Sequence, residues 1–379
     1  GWPVEFLTWN EIQDRYGPEG ITDPVPAPHS GKFEITDDTQ MTLFTAEGLL
    51  RSNVRAAGRG MTHGPAVVFK AYRRWYRTQT TTYPGREAIE REIAVTPGNS
   101  SIDIGSRLLL YPEMWQRRAP GNTCLSSLSQ EEPTLPATNG SKGCGTVMKT
   151  APIGLLCCQP SEQLAAARHG LEIAAVTHGH PTAQIAAAFL SSLIGQLTIG
   201  NELRIAIVEA RRNVLRLCDE VGGEFAPGDP SEVLEAIDMA LALDATEVRV
   251  TPDIIERLGG GWVAEEALAI ALLCAIRAKS FEEGVRLAVN HSGDSDSTGA
   301  IAGNILGVIH GVDAIPSHWL EHLELHDVIA GIADDLHECL TQGIPCVAVQ
   351  GYATDAETLR REAEQWEVYD RWARRYPGT

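Results

Sequence analysis

The stretch His291-Ser-Gly-Asp-Ser-Asp-Ser-Thr-Gly-Ala-Ile-Ala-Gly-Asn-Ile-Leu-Gly307 decides how the rest of the chain is read. Its second half is a run of small and apolar residues that reads as a helix, and its first half is a polar loop that would open it. Asp294, Asp296, Ser297 and Thr298 crowd into five positions of that loop. Carboxylates so close repel, and they stay ionised together only with a positive charge between them. Oxygen donors in that number suit Mg²⁺, Mn²⁺ or Ca²⁺. Taken alone, a capping aspartate with a solvated loop around it explains the pattern equally well.

A second cluster lies far upstream in Glu34-Ile-Thr-Asp-Asp-Thr-Gln-Met-Thr-Leu-Phe-Thr-Ala-Glu-Gly-Leu-Leu50. Asp37 and Asp38 are flanked by Thr36 and Thr39, directly ahead of a segment whose Met41, Phe44 and Leu49 can share one helical face. One such loop is a cap, whereas two of them opening two helices can converge on a metal site. Four aspartates with hydroxyls exceed what a single ion usually takes from protein, which favours a two-ion centre of the kind used in hydrolysis. A third signal is Ser141-Lys-Gly-Cys-Gly-Thr-Val-Met148, where Gly140, Gly143 and Gly145 would let backbone amides approach an anion such as a diphosphate. A glycine-rich turn by itself is weak evidence.

The motifs ITDDTQMTLFTAEGLL, SKGCGTVMKTAPIGL, THGHPTA and GDSDSTGAIAGNILG, in this order over most of the chain, resemble those of the ADP-ribosylglycohydrolase family. The resemblance implies a hydrolase that frees ADP-ribose from a modified acceptor by cutting the glycosidic bond at the distal ribose, with two Mg²⁺ or Mn²⁺ ions as cofactors. It implies Thr36, Asp37, Asp38, Asp294, Asp296 and Ser297 as the metal set. The family more often has threonine where Ser297 stands, a change that keeps the hydroxyl. It places the ADP-ribose against Ser141, Gly143, Cys144, Gly145 and Thr146, with Asn122 at a helix start near the ligand and His178 as a further substrate contact. It also sets Glu5 beside the ions as the catalytic carboxylate, where residue chemistry alone would favour a surface position. Asp296 is the second candidate for proton transfer. In the family a GDxxG turn precedes the segment ending Glu-Phe, and here Gly1 and the following WPVEF match only its end, so the sequence is expected to start inside that motif.

Composition bounds the alternatives. At 379 residues, 43% hydrophobic and 21% charged, the chain is expected to be a globular enzyme. A net charge of −19 argues against a broad surface for nucleic acid or anionic membrane. An anionic substrate then has to be held by local devices such as metal ions, helix N-termini and amides. The eight cysteines show no framework spacing and read as reduced thiols of a cytoplasmic protein. His178 and His180 lack the further ligands of a zinc site.

Beyond Pro152 the pattern is helix after helix, opened at Ser161, Pro181 and Ser231, with 261–273 apolar enough for a buried central helix and 281–289 amphipathic. Helices are also expected from residue 38 to about 57 and from Phe69 to Thr82, while residues 1–35 read as irregular and 95–145 as loop-rich. No period-two run stands out, so the fold class is all-α: one orthogonal helical bundle of the ADP-ribosylglycohydrolase type over 1–379, ending in an amphipathic helix within 355–379. The protein is expected to be a monomer acting on an ADP-ribosylated protein or small molecule, arginine-linked first, with serine and nucleobase acceptors left open. The competing classes are a binding or structural relative without turnover and a two-metal phosphoesterase.

Overall fold

Polar residues at the start of the segment cap several of the helices. In the computed structural model, residues 1–95, 105–130, 134–157, 159–220, 228–246, 248–347 and 356–377 are described, and the account below concerns these. Among them are seventeen α-helices and several 3-10 turns, with no strand beyond two isolated bridges, Phe33 with Leu323 and Gly143 with Val263. The all-α expectation holds. The acidic segments open the helices Asp37–Arg59 and Ser295–His310, and the amphipathic one forms Phe281–Val289.

The expectation of an irregular start is corrected by a helix at Trp9–Tyr16. Its cause is legible in the residues: Thr8 accepts from the Glu11 amide while the Glu11 carboxylate accepts the Thr8 amide, a reciprocal cap that satisfies two otherwise unpaired donors. Such caps contribute about 1 kcal/mol.

The chain divides into two compact units, Gly1–Thr42 with Arg118–His326, and Leu43–Arg117 with Asp327–Thr379. The core of the first is built on Pro181–Thr198 and Ala264–Arg277, helices so rich in Ala, Leu and Ile that almost every side chain is buried. Small residues let a neighbouring helix approach closely; a Cβ on Gly170, in the helix Gln163–Ala174, would stand 2.7 Å from the Ala187 carbonyl oxygen and 2.5 Å from Ser191 Oγ of Pro181–Thr198. Such a core is sensitive to volume in either direction. In the second unit Tyr72 and Trp75 are fully buried, as expected of core aromatics. Glu47 lies between Arg51 and Arg74, each with a nitrogen 3.0 Å away. Burial pushes the Glu47 carboxyl up, but the two guanidiniums outweigh it and hold the pKa below the ordinary value.

No helix among the described residues is long and apolar enough to cross a membrane. The seven described cysteines are free thiols.

Candidate metal and substrate site

Every residue of the site belongs to the first unit. The loop before Asp37 is pinned from a distant part of the chain. Glu324 Oε2 accepts the Ile35 amide at 3.0 Å, and Arg118 donates to the Ile35 carbonyl at 2.7 Å and to both Glu324 oxygens at 3.2 and 3.3 Å. Held this way, Thr36, Asp37 and Asp38 sit buried at the start of their helix. The Asp37 amide donates to the Arg118 carbonyl at 3.4 Å, and Asp37 Oδ2 accepts the Gly121 amide at 3.3 Å.

Asp296, in the first turn of Ser295–His310, completes a group with Asp37 and Asp38 in which one oxygen of each lies within 4.8 Å of the others. All three are buried, and Asp38 Oδ1 has no hydrogen-bond partner. An unpaired buried oxygen on an acidic residue costs a few kcal/mol unless something satisfies it. Burial first, then the neighbouring carboxylates with Asp296 foremost, pushes Asp37 and Asp38 well above the ordinary carboxylate range. This donor set of hard oxygens with an orphaned lone pair fits a divalent cation.

Asp294 stands differently from the other three. Its Oδ1 accepts the Ser297 amide at 2.9 Å as the helix cap, and its Oδ2 accepts from the Cys144 thiol at 2.8 Å. Asp294 is thus engaged as the helix cap, while Asp296 is the aspartate of this loop that joins Asp37 and Asp38. Ser297 is buried with its hydroxyl 3.9 Å from Met148 Sδ. Burial, more than any charge, raises the Asp294 carboxyl.

Glu5 reaches the group from the N-terminal segment. Gly1 packs so tightly against the acidic helix that a Cβ there would fall 2.1 Å from the Ser295 carbonyl oxygen, and the Val4 and Glu5 amides donate back to the Gly1 carbonyl. Glu5 is 9% exposed, and its pKa is raised to about 8 by burial and then by Asp296, Asp294 and Asp37. Of its apolar neighbours Val4 is buried, whereas Phe6 turns outward, 68% exposed, with a left-handed φ of 65°. Its ring stacks on Trp262 at a centroid distance of 5.5 Å. A non-glycine residue in that region carries roughly 1–3 kcal/mol of strain, and here the reversal sends Glu5 inward and Phe6 out.

The glycine loop abuts the same group through Cys144. Its glycines have ordinary negative φ, and only Gly145 is short of space for a side chain. A Cβ on Gly145 would meet Cys124 Sγ and His178 Cε1 at 3.3 Å, and one on Gly143 would lie 3.5 Å from His178 Nε2. Two loop amides are already engaged, Cys144 by the Trp262 carbonyl at 3.1 Å and Gly143 by Ser141 Oγ at 3.4 Å, so the loop is less open a nest than its glycines suggest. Ser141 Oγ also accepts from Thr123 at 2.9 Å, and Thr146 donates to the Gly143 carbonyl at 3.3 Å. Asn122 is exposed at the first position of Asn122–Leu128, whose cap residue is Gly121. His180 caps Pro181–Thr198 through Nδ1, a role that needs no zinc.

Two residues the sequence reading passed over lie behind the loop: Lys149 and Thr177, fully buried beside His178. Both stand inside the quoted motifs, but nothing local shows that Lys149 points inward.

Among known proteins, an uncharacterized protein of Archaeoglobus fulgidus is 27% identical over 89% of this chain and 91% of its own length. The ADP-ribosyl-dinitrogen reductase glycohydrolase of Rhodospirillum rubrum is 25% identical over 86% of this chain and 85% of its own. An ADP-ribosylarginine hydrolase of Pseudomonas putida is 31% identical over a shorter match, 21% of each chain. A solved ADP-ribosylglycohydrolase-related protein complex aligns with 85% of this chain and 87% of its own at 24% identity and a TM-score of 0.49. The sequence profile of the ADP-ribosylglycohydrolases matches residues 1–344. With that match spanning the acidic helices and the glycine loop alike, the chain belongs to the ADP-ribosylglycohydrolase family.

Proposed function

We propose that this protein is a divalent-metal-dependent hydrolase that removes ADP-ribose from a modified acceptor, ADP-ribosylarginine on protein foremost, by cleaving the glycosidic bond at the distal ribose. The observation that carries this reading is the buried trio Asp37, Asp38 and Asp296 with its unpaired Asp38 oxygen, facing Glu5. The arginine preference is supported by the named activity of the Pseudomonas putida relative.

Asp37, Asp38 and Asp296, with the Thr36 hydroxyl, would hold one Mg²⁺ or Mn²⁺. Asp294 and Ser297 would serve a second after Asp294 exchanges the Cys144 thiol for the cation. Bound there, divalent ions supply Lewis-acid polarisation and lower the pKa of water. The chain's own groups do the rest. A guanidine leaves an N-glycosidic bond readily only when its nitrogen is protonated, and Glu5, with a pKa near neutrality, can hold that proton on its carboxyl and give it up. Ser141, Gly143, Cys144, Gly145, Thr146 and His178 would receive the diphosphate, with Asn122 at its edge. We expect a cytoplasmic monomer.

Incubation with arginine-, serine- and nucleobase-linked ADP-ribose, each with Mg²⁺ or Mn²⁺, tests the reading through its product. Free ADP-ribose from the arginine conjugate supports it. AMP and ribose phosphate would mark a phosphoesterase instead, and binding without release a relative that does not turn over.

Two smaller predictions arise here. Asp37, Asp38, Asp294 and Glu5 all have folded pKa values above their unfolded ones near 4, so between those limits the folded state binds more protons. Stability of the metal-free protein then falls as pH rises through that window, and a cation that replaces the protons relieves more repulsion at high pH. The rise in Tm on adding Mn²⁺ is expected to be larger at pH 8 than at pH 5 by differential scanning fluorimetry; an equal or larger rise at pH 5 would remove the carboxylates from the metal site. Separately, Gly145→Val is expected to weaken ADP-ribose binding at least ~10-fold in calorimetry, because its side chain must displace Cys124 or His178. Unchanged affinity in a folded variant would make the loop a plain turn.

A further inference from the structure

We propose that Lys149 and Thr177 are positioning residues that hold His178 in a single neutral tautomer, with its Nε2 proton turned to the glycine loop as a donor for an anionic oxygen of ADP-ribose. The inference rests on the substrate class proposed above. Lys149 ends the 3-10 turn Cys144–Lys149 and is fully buried. Its Nζ donates to Thr177 Oγ1 at 2.8 Å and to Cys124 Sγ at 3.9 Å.

Burial lowers the Lys149 pKa while Cys124 and Asp37 oppose that; as an ammonium it has donors and no acceptor, so the Thr177 hydroxyl accepts from it and keeps its own proton to give. Two oxygen or nitrogen acceptors stand within reach of that proton: His178 Nδ1 at 2.9 Å and the Ala174 carbonyl at 3.5 Å. In the reverse arrangement Nδ1–H would donate to Thr177, aiming the positive end of an N–H bond at the lysine charge and leaving the hydroxyl proton the long contact to Ala174. The arrangement with the Nδ1 lone pair toward Thr177 and Lys149 is favoured on both counts. A hydroxyl that accepts from a cation is also the stronger donor.

A second proton on the ring is opposed as well. Burial, and then the Lys149 charge, push the His178 pKa well below its ordinary value. The ring's single proton therefore sits on Nε2. That atom has no hydrogen-bond partner among the described residues, and it lies against the loop at Gly143 and Gly145, whose hypothetical Cβ atoms would each stand 3.5 Å from it. The glycines and the relay are two halves of one device: one clears the approach to the imidazole and the other fixes which end of it is the donor.

Selective ¹⁵N-histidine labelling tests this in the full chain, His178 being assigned by its loss in His178→Gln. The ring is expected to show a protonated Nε2 and a bare Nδ1. Thr177→Val, which deletes the hydroxyl at nearly constant volume, is expected to mix the tautomers and weaken ADP-ribose binding ~10-fold, with KM rising and kcat within about threefold. Thr177→Ser is expected to restore both the tautomer and the affinity. Lys149→Met, if folded by circular dichroism, is expected to behave as Thr177→Val does. A protonated Nδ1 in the unaltered protein, or no change of tautomer in Thr177→Val, overturns the relay. A changed tautomer with unchanged ADP-ribose affinity overturns the assignment of its purpose. Failure of the unaltered protein to bind ADP-ribose at all would instead defeat the substrate reading, a result the labelling experiment does not share.

Discussion

Glu5→Gln is expected to fold, to bind ADP-ribose as well as the unaltered protein, and to turn over at least ~10²-fold more slowly, the usual worth of a positioned acid or base. The expectation follows from a division of labour. A carboxylate that ligates a cation has its lone pairs occupied and transfers protons poorly, so another group at the edge of the centre has to do so. Glu5 is near enough to feel Asp296, Asp294 and Asp37, and its pKa of about 8 lets it exchange a proton near neutral pH. Glutamine keeps the shape and removes the titration. Product release measured alongside ADP-ribose titration is the check: normal turnover, or a parallel loss of binding and turnover, would end the catalytic assignment and make Asp296 the next residue to substitute. A cation bound to the trio would lower the Glu5 pKa, so the alkaline limb of the pH–rate profile, where a proton-donating Glu5 is lost, is expected below 8 and is expected to vanish in Glu5→Gln.

The second large effect is expected from Asp38→Asn, and it has two opposite signs. Activity and divalent-metal binding should be lost together, because the amide offers a weaker, uncharged ligand where an anion is needed. Metal-free stability should rise, because the substitution deletes one of several like charges held in a buried group with an unpaired oxygen. Calorimetric titration with Mn²⁺ and melting curves without metal report the two halves independently. Retained metal affinity would sink the site, whereas a lower metal-free Tm would show that Asp38 is held by partners and not strained by neighbours. Asp294→Asn is expected to differ: it keeps an acceptor for the Ser297 amide, so its loss of activity should come with a nearly intact cap.

How much of this was legible depended on whether the signal was local. The helices Asp37–Arg59 and Phe281–Val289 were readable because their polar starts and apolar periods lie within a few residues. Trp9–Tyr16 was readable too, since Thr8 and Glu11 spell a capping box, but the glycines and prolines around it drew the reading toward loop. The convergence of Asp37 with Asp296 followed from the pairing of two similar loops and from resemblance, not from any periodicity. The turn of Asp294 toward Cys144, the outward Phe6 and the Lys149–Thr177–His178 line were not legible. Each is set by atoms from segments far apart in the chain, and a single residue's type says nothing about which way its backbone reverses or what waits across the fold. The loop glycines do not serve the tight turn their type suggests, since their φ angles would suit any residue and only at Gly145 does crowding by Cys124 and His178 oppose a side chain.

The clasp of Glu324 and Arg118 on Ile35 sets a timetable for the protein's birth. Ile35 and Glu324 are 289 residues apart, so at ordinary elongation rates the acidic pair at 37 and 38 waits on the order of 15–60 s for the carboxylate that pins its loop. Asp296 arrives only shortly before. Through that interval the nascent chain carries two carboxylates with no third to share an ion and no anchor to aim them. The acidic group is thus completed only once residue 324 has been made, and a chain that stops short of it lacks the clasp that pins the loop before Asp37.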